Sequence, residues 1–461
     1  MRNSTVIDEA GYFWLPATPE SKLPGTLHIS ERGGITLDVI GMFGDPAEAF
    51  RANSSLKRII GLIRNQNVTL DSCVYKKQSL TFGGISKSVI HATVAYLGVA
   101  YDDEEAVTFE KVRFSVEGLD EWLLITGLEI DLNLEGLGAN IKYKRPEQIA
   151  LRLPGDIKLE IGFSWSLAGG GTEFKEAKIS QKASMSLVSS AGMPIESFFP
   201  IISKLTNFLS FAIDKTVMLE SLDGFSTEIK RQKENGSSYQ IPIEVVFESI
   251  PYDEVAPKIS WTDMLFRYDQ VKDELEKMLA KWFSNYETSE PAFNLYFAYK
   301  SGAQKYIDGR FLSLAQGIET LHRRNSSGTV MPPGEFRELV QALLKSCPED
   351  KKEWLNTRIA YGNEISLRQR LTEMIEPFKA LYGTEDEIST FIKRILDTRN
   401  YLTHFDDRLS ERAARGIDLW RLCMKVEVLF QLHFLRLIGL SVESITNIAN
   451  AVESIKWKLR Q

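Results

Sequence analysis

Residues 27–39 are Leu27-His28-Ile29-Ser30-Glu31-Arg32-Gly33-Gly34-Ile35-Thr36-Leu37-Asp38-Val39, and this stretch has the pattern of a β-hairpin. Apolar and polar side chains alternate on both sides of the glycine pair, as in strands that bury one face. Similar runs follow at residues 67–80, 88–99, 107–116, 123–134, 157–167 and 239–247. Many short strands separated by turns favour a sandwich or a barrel. We therefore predict a β-rich N-terminal domain, with one helix at residues 194–213, where apolar side chains recur at spacings of three and four.

The pattern changes after Pro251 and Pro257, where helical periodicity replaces strand alternation. Helices are predicted at residues 261–285, 303–324, 333–345, 351–361, 365–381, 386–403, 407–437 and 442–458. A chain of 461 residues is also too long for a single core. The expected fold is α+β and multidomain, with a β-rich domain at residues 1–255 and an all-α helical bundle at residues 256–461.

Composition argues against a disordered or fibrous protein and against a globally basic nucleic-acid binder. The 43% hydrophobic and 25% charged residues are typical of ordinary globular domains. Residues 1–257 hold 25 basic and 34 acidic side chains, and the rest of the chain is nearly balanced at 30 and 28, so any contact with nucleic acid must come from local patches. The three cysteines are far apart, the first residues do not resemble a signal peptide, and the most apolar stretches contain polar residues. We expect a cytoplasmic protein without a membrane segment.

Common catalytic motifs are missing from the sequence. It contains no GxxxxGK[ST] phosphate-binding loop and no HExxH, GxSxG or EF-hand spacing. The adjacent Asp406 and Asp407 would point to different faces of a helix. We therefore expect no nucleotide cofactor and no metal site.

One constellation of polar residues lies near the C-terminus. The segment Arg399-Asn400-Tyr401-Leu402-Thr403-His404 ends a predicted helix, and His404 is the one histidine of five with an arginine five residues before it. Asn400 and His404 are four residues apart, so they share a helical face on which the amide can orient the imidazole. Arg399 lies about 140° around the helix from His404, so the two converge only in a cleft.

Three further arginines follow this segment. Arg408, Arg412 and Arg415 are spaced by four and three residues and would form a cationic stripe on a helix, suited to a phosphate backbone. Acidic neighbours such as Asp407, Glu411 and Asp418 offer the alternative of an ordinary solvated face. In the first interpretation, the three arginines bind such a backbone.

The helical half resembles a known family. Residues 398–406, which contain the arginine, asparagine and histidine, are similar to the RNxxxH signature of HEPN RNases, and residues 311–324 with Glu319 resemble their acidic-residue helix. Together with the β-rich half, the arrangement resembles the ApeA family of antiphage abortive-infection proteins. The resemblance implies that Arg399, Asn400 and His404 are catalytic and that Glu319 supports them. It also makes RNA the expected ligand of the arginine stripe at Arg408, Arg412 and Arg415.

The resemblance also implies a metal-independent endoribonuclease that acts in phage defence as a homodimer or a dimer of dimers. tRNA is the substrate suggested by related HEPN toxins, and the β-rich half is expected to sense a phage-derived trigger. The residue types suit this chemistry, because imidazole exchanges protons near neutral pH and guanidinium stabilises a phosphorane-like transition state.

Two other functions remain open from the sequence. The bundle could bind RNA or a nucleotide without cutting it, as a catalytically silent scaffold. The β-rich half could instead bind a carbohydrate or a protein through Trp14, Trp122 and Trp165, although core packing also explains these side chains. His322 and Arg323 have the simpler interpretation of charges that complement a helix C-terminus.

Overall fold

The chain forms two compact units, Met1–Glu276 and Lys277–Gln461. The computed structural model describes residues 2, 6–44, 55–81, 83–133, 135–168, 178–232, 236–249, 255–326 and 328–461. The first unit extends past the boundary expected after residue 255. The physical reason is that the residues before Tyr268 bond to the β-rich unit: Leu265 N donates to Ala212 O at 2.8 Å, and Trp122 Nε1 donates to Phe266 O at 3.1 Å.

A closed six-stranded barrel forms the first part of the N-terminal unit. Its strands are β1 (Ile7–Trp14), β2 (Leu23–Ile29), β3 (Ile35–Ile40), β4 (Ser55–Ile63), β5 (Gln66–Ser79) and β6 (Lys87–Leu97). The hydrogen-bonded order is β6-β3-β2-β1-β4-β5, and pairing of β5 with β6 closes the circle. The predicted hairpin is confirmed, with Leu27 opposite Leu37.

Alternation along these strands fills the barrel with apolar side chains. Phe13, Leu27, Leu37 and Leu70 are fully buried there. A Cβ at Gly61 would lie 2.5 Å from the ring of Phe13, so the ring packs directly against glycine backbone. Closure leaves the barrel without free strand edges, which protects it from edge-to-edge association.

The remaining strands extend the sheet from the barrel. They are β7 (Thr108–Val116), β8 (Leu128–Asn133), β9 (Gly138–Tyr143), β10 (Ile149–Leu153), β11 (Ile157–Ala168), β12 (Lys178–Pro194), β13 (Leu219–Phe225), β14 (Lys230–Gln232), β15 (Ser238–Gln240) and β16 (Ile243–Phe247). Strands β10-β11-β12-β7-β13-β16 run side by side and join the barrel where β16 pairs with β6, whereas β8–β9 and β14–β15 are separate hairpins. The prediction of one strand over residues 123–134 was wrong at its start, because α1 (Leu119–Leu123) precedes β8.

One long helix packs on this extended sheet, as predicted for residues 194–213. It is α2 (Ile195–Ile213), and the ring of Phe199 lies 4.3 Å from that of Phe247 in β16. A single turn of helix, α3 (Tyr268–Val271), lies near the end of this unit.

The C-terminal unit is helical. Its helices are α4 (Leu275–Thr288, which begins just before the unit boundary), α5 (Glu290–Lys300), α6 (Ile307–Asn325), α7 (Pro333–Ser346), α8 (Lys352–Ile359), α9 (Leu367–Ile375), α10 (Lys379–Tyr382), α11 (Glu385–His404), α12 (Gly416–Leu437), α13 (Val442–Ala451) and α14 (Glu453–Arg460). Helix α6 lies close to α12, because a Cβ at Gly317 would meet the Phe430 ring at 2.6 Å. Within the described part of the chain, no helix combines the length and the apolar character needed to cross a membrane.

The segment after α11 is not the helix that the sequence predicts. A 3₁₀ turn at Asp407–Leu409 follows α11, and α12 begins only at Gly416, whose φ of 52° interrupts any continuous helix. The hydroxyl of Thr398, a fully buried residue, accepts a hydrogen bond of 2.9 Å from Ala414 N. This contact holds the returning chain against α11.

Replacement of Thr398 by valine should lower the free energy of unfolding by about 1–3 kcal/mol, because the buried Ala414 N–H would lose its acceptor while the side-chain volume stays nearly constant. Chemical denaturation of the full chain measures the change. Thr398→Ser keeps the hydroxyl and is the control. A loss in Thr398→Ser with no loss in Thr398→Val would show that the methyl group, and not the hydrogen bond, stabilises this position.

Candidate active site

Helix α11 carries the predicted motif at its C-terminal end. The helix begins with a capping box, in which Glu387 N donates to Thr384 Oγ1 and Thr384 N donates to Glu387 Oε2. Phe391, Ile392 and Ile395 bury one face of the helix. The cap fixes where α11 begins, and the buried face fixes its rotation about its axis. Together they determine the directions in which the motif side chains point.

A cavity of about 480 Å³ lies where α6 faces α11. It is lined by Leu312, Gln316, Glu319, Thr320, Arg323, Arg399 and Thr403. Two guanidinium groups and one carboxylate are the charged groups of this lining, which leaves one net positive charge. A cavity of this size and charge is suited to an anionic ligand.

Arg399 is held in this cavity by contacts on both of its terminal nitrogens. Nη1 donates to Asn400 Oδ1 at 3.2 Å, and Nη2 lies 3.8 Å from Glu319 Oε2. The fold therefore brings together three of the predicted site residues, Arg399, Asn400 and Glu319. The amide of Asn400 contacts the arginine rather than the imidazole that it was expected to orient.

His404 lies outside the lining of this cavity. It is the last residue of α11 and is exposed, and Phe405 ends the helix in the left-handed conformation with a φ of 51°. A left-handed conformation at a residue with a bulky side chain is strained. The turn is stabilised by Asp406, which accepts hydrogen bonds from the side chain and the backbone of Arg408. These bonds hold the pKa of Asp406 below its usual value, and the nearby His404 lowers it further.

The cationic stripe expected from Arg408, Arg412 and Arg415 does not form, because Arg408 lies in a short 3₁₀ turn and the other two precede α12 outside any helix. Arg408 binds the carboxylate of Asp406, with Nη2 2.8 Å from Oδ2. Arg415 donates to the hydroxyl of Tyr401 at 2.9 Å, and its guanidinium lies 5.0 Å from the centre of that ring. The prediction that these three arginines share one helix was therefore wrong. All three side chains are nevertheless exposed.

Sequence reasoning missed the part that Arg323 plays in this site. Arg323 Nη2 donates to Glu319 Oε1 at 3.1 Å, so one carboxylate lies between Arg323 and Arg399. The spacing of four residues between Glu319 and Arg323 on a helix could have indicated the pair. His322, interpreted from sequence as a terminal charge, is instead buried and bonded to Arg370 and Glu373. No sequence signal indicates that contact, because it joins separate helices.

The three tryptophans considered for a ligand site do not form one surface feature. Trp122 is buried against Phe208, Trp14 is half-buried beneath Lys22, and Trp165 is exposed beside Tyr143. Core packing therefore accounts for Trp122. Among the residues that the structure describes, no three His, Cys, Asp or Glu side chains lie together as metal ligands would.

Comparison with protein families agrees with this architecture. Residues 8–282 match the model of ApeA N-terminal domain 1, and residues 312–444 match that of the Apea-like HEPN domain. No curated protein and no solved structure matches the chain. The first match spans the β-rich unit and more than half of the chain, and the second contains Glu319 and the whole Arg399-to-His404 motif. The chain therefore belongs to the ApeA family, and its C-terminal unit is a HEPN domain of the kind associated with nucleases of antiphage defence.

Proposed function

We propose that this protein is a metal-independent HEPN endoribonuclease in which Arg399 and His404 carry out the cleavage. The observation that carries the proposal is the placement of Arg399 in a cavity beside Glu319, five residues before an exposed His404 at the end of the same helix. The family match supports a HEPN-type nuclease in antiphage defence, and the cavity adds a place for an anionic substrate.

The proposed reaction is an internal transesterification of RNA. The imidazole of His404 takes the proton from the ribose 2′-OH, the 2′-oxygen bonds to phosphorus, and the bond from phosphorus to the 5′-oxygen breaks. A second imidazole returns a proton to the 5′-oxygen, so the products are a 2′,3′-cyclic phosphate and a 5′-hydroxyl. Arg399 stays charged and stabilises the negative charge that develops on the phosphoryl oxygens. Asn400 and Glu319 act as positioning residues for its guanidinium.

The position of His404 supports a homodimer, or a dimer of dimers, as the active form. One chain supplies one titratable group outside its own cavity, whereas the reaction uses both an acid and a base. A two-fold arrangement that brings two motifs to one cleft would supply both.

Within this proposal the substrate is cellular RNA, with tRNA as the expected class, and the protein acts in the cytoplasm. The exposed arginines Arg408, Arg412 and Arg415 would contact RNA outside the cavity. The β-rich unit would sense a phage-derived trigger and hold the nuclease inactive until infection. Sequencing of RNA ends after induction in cells tests activity and substrate together, and tRNA fragments with new 5′-hydroxyl ends are the expected result.

A catalytically silent RNA-binding or scaffold protein is the second candidate. The observation that favours it is the separation of His404 from the cavity within one chain. Such a protein would bind RNA with the same arginines and leave it intact, so the cleavage assays below distinguish the two functions.

His404→Ala and Arg399→Ala should each lower the rate of RNA cleavage by about 10² to 10⁴-fold. The first variant lacks the group that transfers protons, and the second lacks the positive charge that stabilises the transition state. Rates of RNA cleavage by the purified full chain, together with thermal unfolding, measure the effect. Arg394→Ala is the control, since Arg394 lies on the same helix in an exposed pair with Asp418. Wild-type rates in either motif variant would refute the site assignment.

Mixing His404→Ala chains with Arg399→Ala chains should restore part of the activity. In a shared cleft, each mixed dimer combines one intact histidine with one intact arginine from the other chain, a pair that neither variant has alone. Water replaces the missing second imidazole, so the recovery is only partial. The measurement is the initial rate after co-refolding or co-expression, with each variant alone as the reference. A rate no higher than that of the separate variants would contradict the shared cleft. A wild-type protein that is monomeric in light scattering and fully active at the same concentration would contradict it as well.

Cleavage should require a 2′-OH and no divalent metal, since the nucleophile comes from the substrate and histidine transfers the protons. An RNA with 2′-deoxyribose at the mapped cleavage site should remain intact, and EDTA should leave the rate on unmodified RNA unchanged. Inhibition by EDTA that Mg²⁺ reverses would instead assign the reaction to metal-dependent hydrolysis.

A further inference from the structure

A chain of alternating charges leads from the cavity into the helical unit. Its members, in order, are Arg399, Glu319, Arg323, Glu364, the buried Arg370 and His322, and the exposed Glu373. Arg323 Nη1 lies 2.7 Å from Glu364 Oε2, and the same oxygen lies 3.7 Å from Arg370 Nη2. The chain joins residues of α6, α9 and α11 with the segment before α9.

Arg370 is the buried member that fixes this chain in the helical unit. Its side chain is only 3% exposed, and burial, with a smaller contribution from the nearby Arg323, lowers its pKa. Arginine nevertheless remains charged in proteins. Arg370 Nη1 can only donate, so it donates to His322 Nδ1 at 3.2 Å, and His322 Nε2 then donates to Glu373 at 2.9 Å. Both terminal nitrogens of the buried guanidinium thus have partners, whereas Nε has none among the residues that the structure describes. These contacts fix the position of Arg370, which therefore anchors Glu364 and, through Glu364, Arg323.

The anchored guanidinium of Arg323 still faces the cavity. Its side chain is about half exposed, and it lines the same cavity as Arg399. Guanidinium has five N–H donors, and the contacts with Glu319 and Glu364 use one on each terminal nitrogen. Because Glu319 lies between them, Arg323 and Arg399 present two positive groups separated by one carboxylate, close enough for a single RNA strand to contact both.

We propose that Arg323 is a second phosphate-binding residue of the RNA site, and that Glu364 and Arg370 are positioning residues that hold it there. This inference rests on the proposed function. Arg399 contacts the phosphate that reacts, and Arg323 contacts a neighbouring phosphate of the same strand. Arg323 therefore contributes to the binding of ground state and transition state alike, and its loss should change KM rather than kcat.

The salt dependence of RNA binding tests this assignment. Binding of a fluorescein-labelled single-stranded RNA to the full chain is measured between low and physiological salt, with His404→Ala in every protein to prevent cleavage. Arg323→Gln should weaken binding about ten-fold at low salt and reduce the slope of log K against log salt by about 0.7, the value for one phosphate contact on a single strand. Arg324→Gln is the matched control, because it removes an exposed charge from the next position of the same helix without touching the cavity.

Two further variants separate contact from support. Arg323→Lys keeps the charge and should keep the slope, although it loses the forked geometry. Glu364→Gln should raise the KM for RNA cleavage, measured in chains that keep His404, because Arg323 loses its anchor. The salt slope of binding should stay unchanged, because Arg323 keeps its charge. Thermal unfolding of each variant detects a loss of fold. If Arg323→Gln does not fold, Glu364→Gln still decides the question, because an unchanged KM in that variant overturns the proposal.

The binding and cleavage measurements together distinguish failure of the second phosphate contact from failure of the proposed nuclease function. If the wild type cleaves RNA and Arg399→Ala abolishes cleavage, but Arg323→Gln keeps both the wild-type slope and the wild-type KM, the second phosphate contact is refuted while the nuclease stands. If the wild type neither binds nor cleaves RNA, the proposed function fails, and this inference fails with it.

Discussion

The carboxylate of Glu319 lies between two guanidinium groups, and the geometry around the candidate site depends on this shared contact. Without Glu319, Arg323 and Arg399 would face each other across a half-buried cavity with no charge between them, a repulsive arrangement. The contact requires α6 and α11 to lie side by side in one register. Gly317, two residues before Glu319, lets α6 approach α12 closely, so backbone packing and charge pairing specify the same position for this helix.

The ion pairs around this carboxylate differ in how much water reaches them. Arg370 is buried and bonded to His322, whereas Arg323 and Arg399 are about half and one third exposed. Pairs on the surface contribute little to stability, and buried charges are costly unless every partner is in place. The chain from Arg370 to Arg399 therefore contributes more to the placement of side chains than to the stability of the unit. Placement is what an arginine needs in order to meet a phosphate in a fixed geometry.

The β-rich unit is organised by a different constraint, the closure of a sheet. Pairing of β5 with β6 completes the barrel, and β6 also pairs with β16, so the barrel continues into the extended sheet through one shared strand. A strand that belongs to both parts couples them by backbone hydrogen bonds as well as by side-chain packing. The barrel and the extended sheet therefore form one hydrogen-bonded unit.

The sequence by itself determined the fold class of each half of the chain and the residues of the Arg399-to-His404 motif. Alternation and glycine turns predicted the hairpin of β2 and β3, and helical periodicity predicted α6, α7 and α11 to within a few residues, because these patterns are local. The spacing in α11 also placed Arg399, Asn400 and His404 at a helix end. Where local signals conflicted with long-range contacts, the prediction failed: residues 407–415 have helical composition, but the bond from Ala414 to the buried Thr398 and the conformation of Gly416 exclude a helix.

Only the tertiary structure decided which charges meet. It placed Glu319 beside Arg399, put Asn400 on the arginine rather than on His404, and left His404 outside the cavity. It also buried Arg370 and His322, which no periodicity distinguishes from solvated charges. The physical reason is that a salt bridge between helices depends on how each helix is rotated and displaced when its apolar face is buried. That rotation results from the packing of the whole core, whereas the local sequence specifies only that a helix forms and which side of it is apolar.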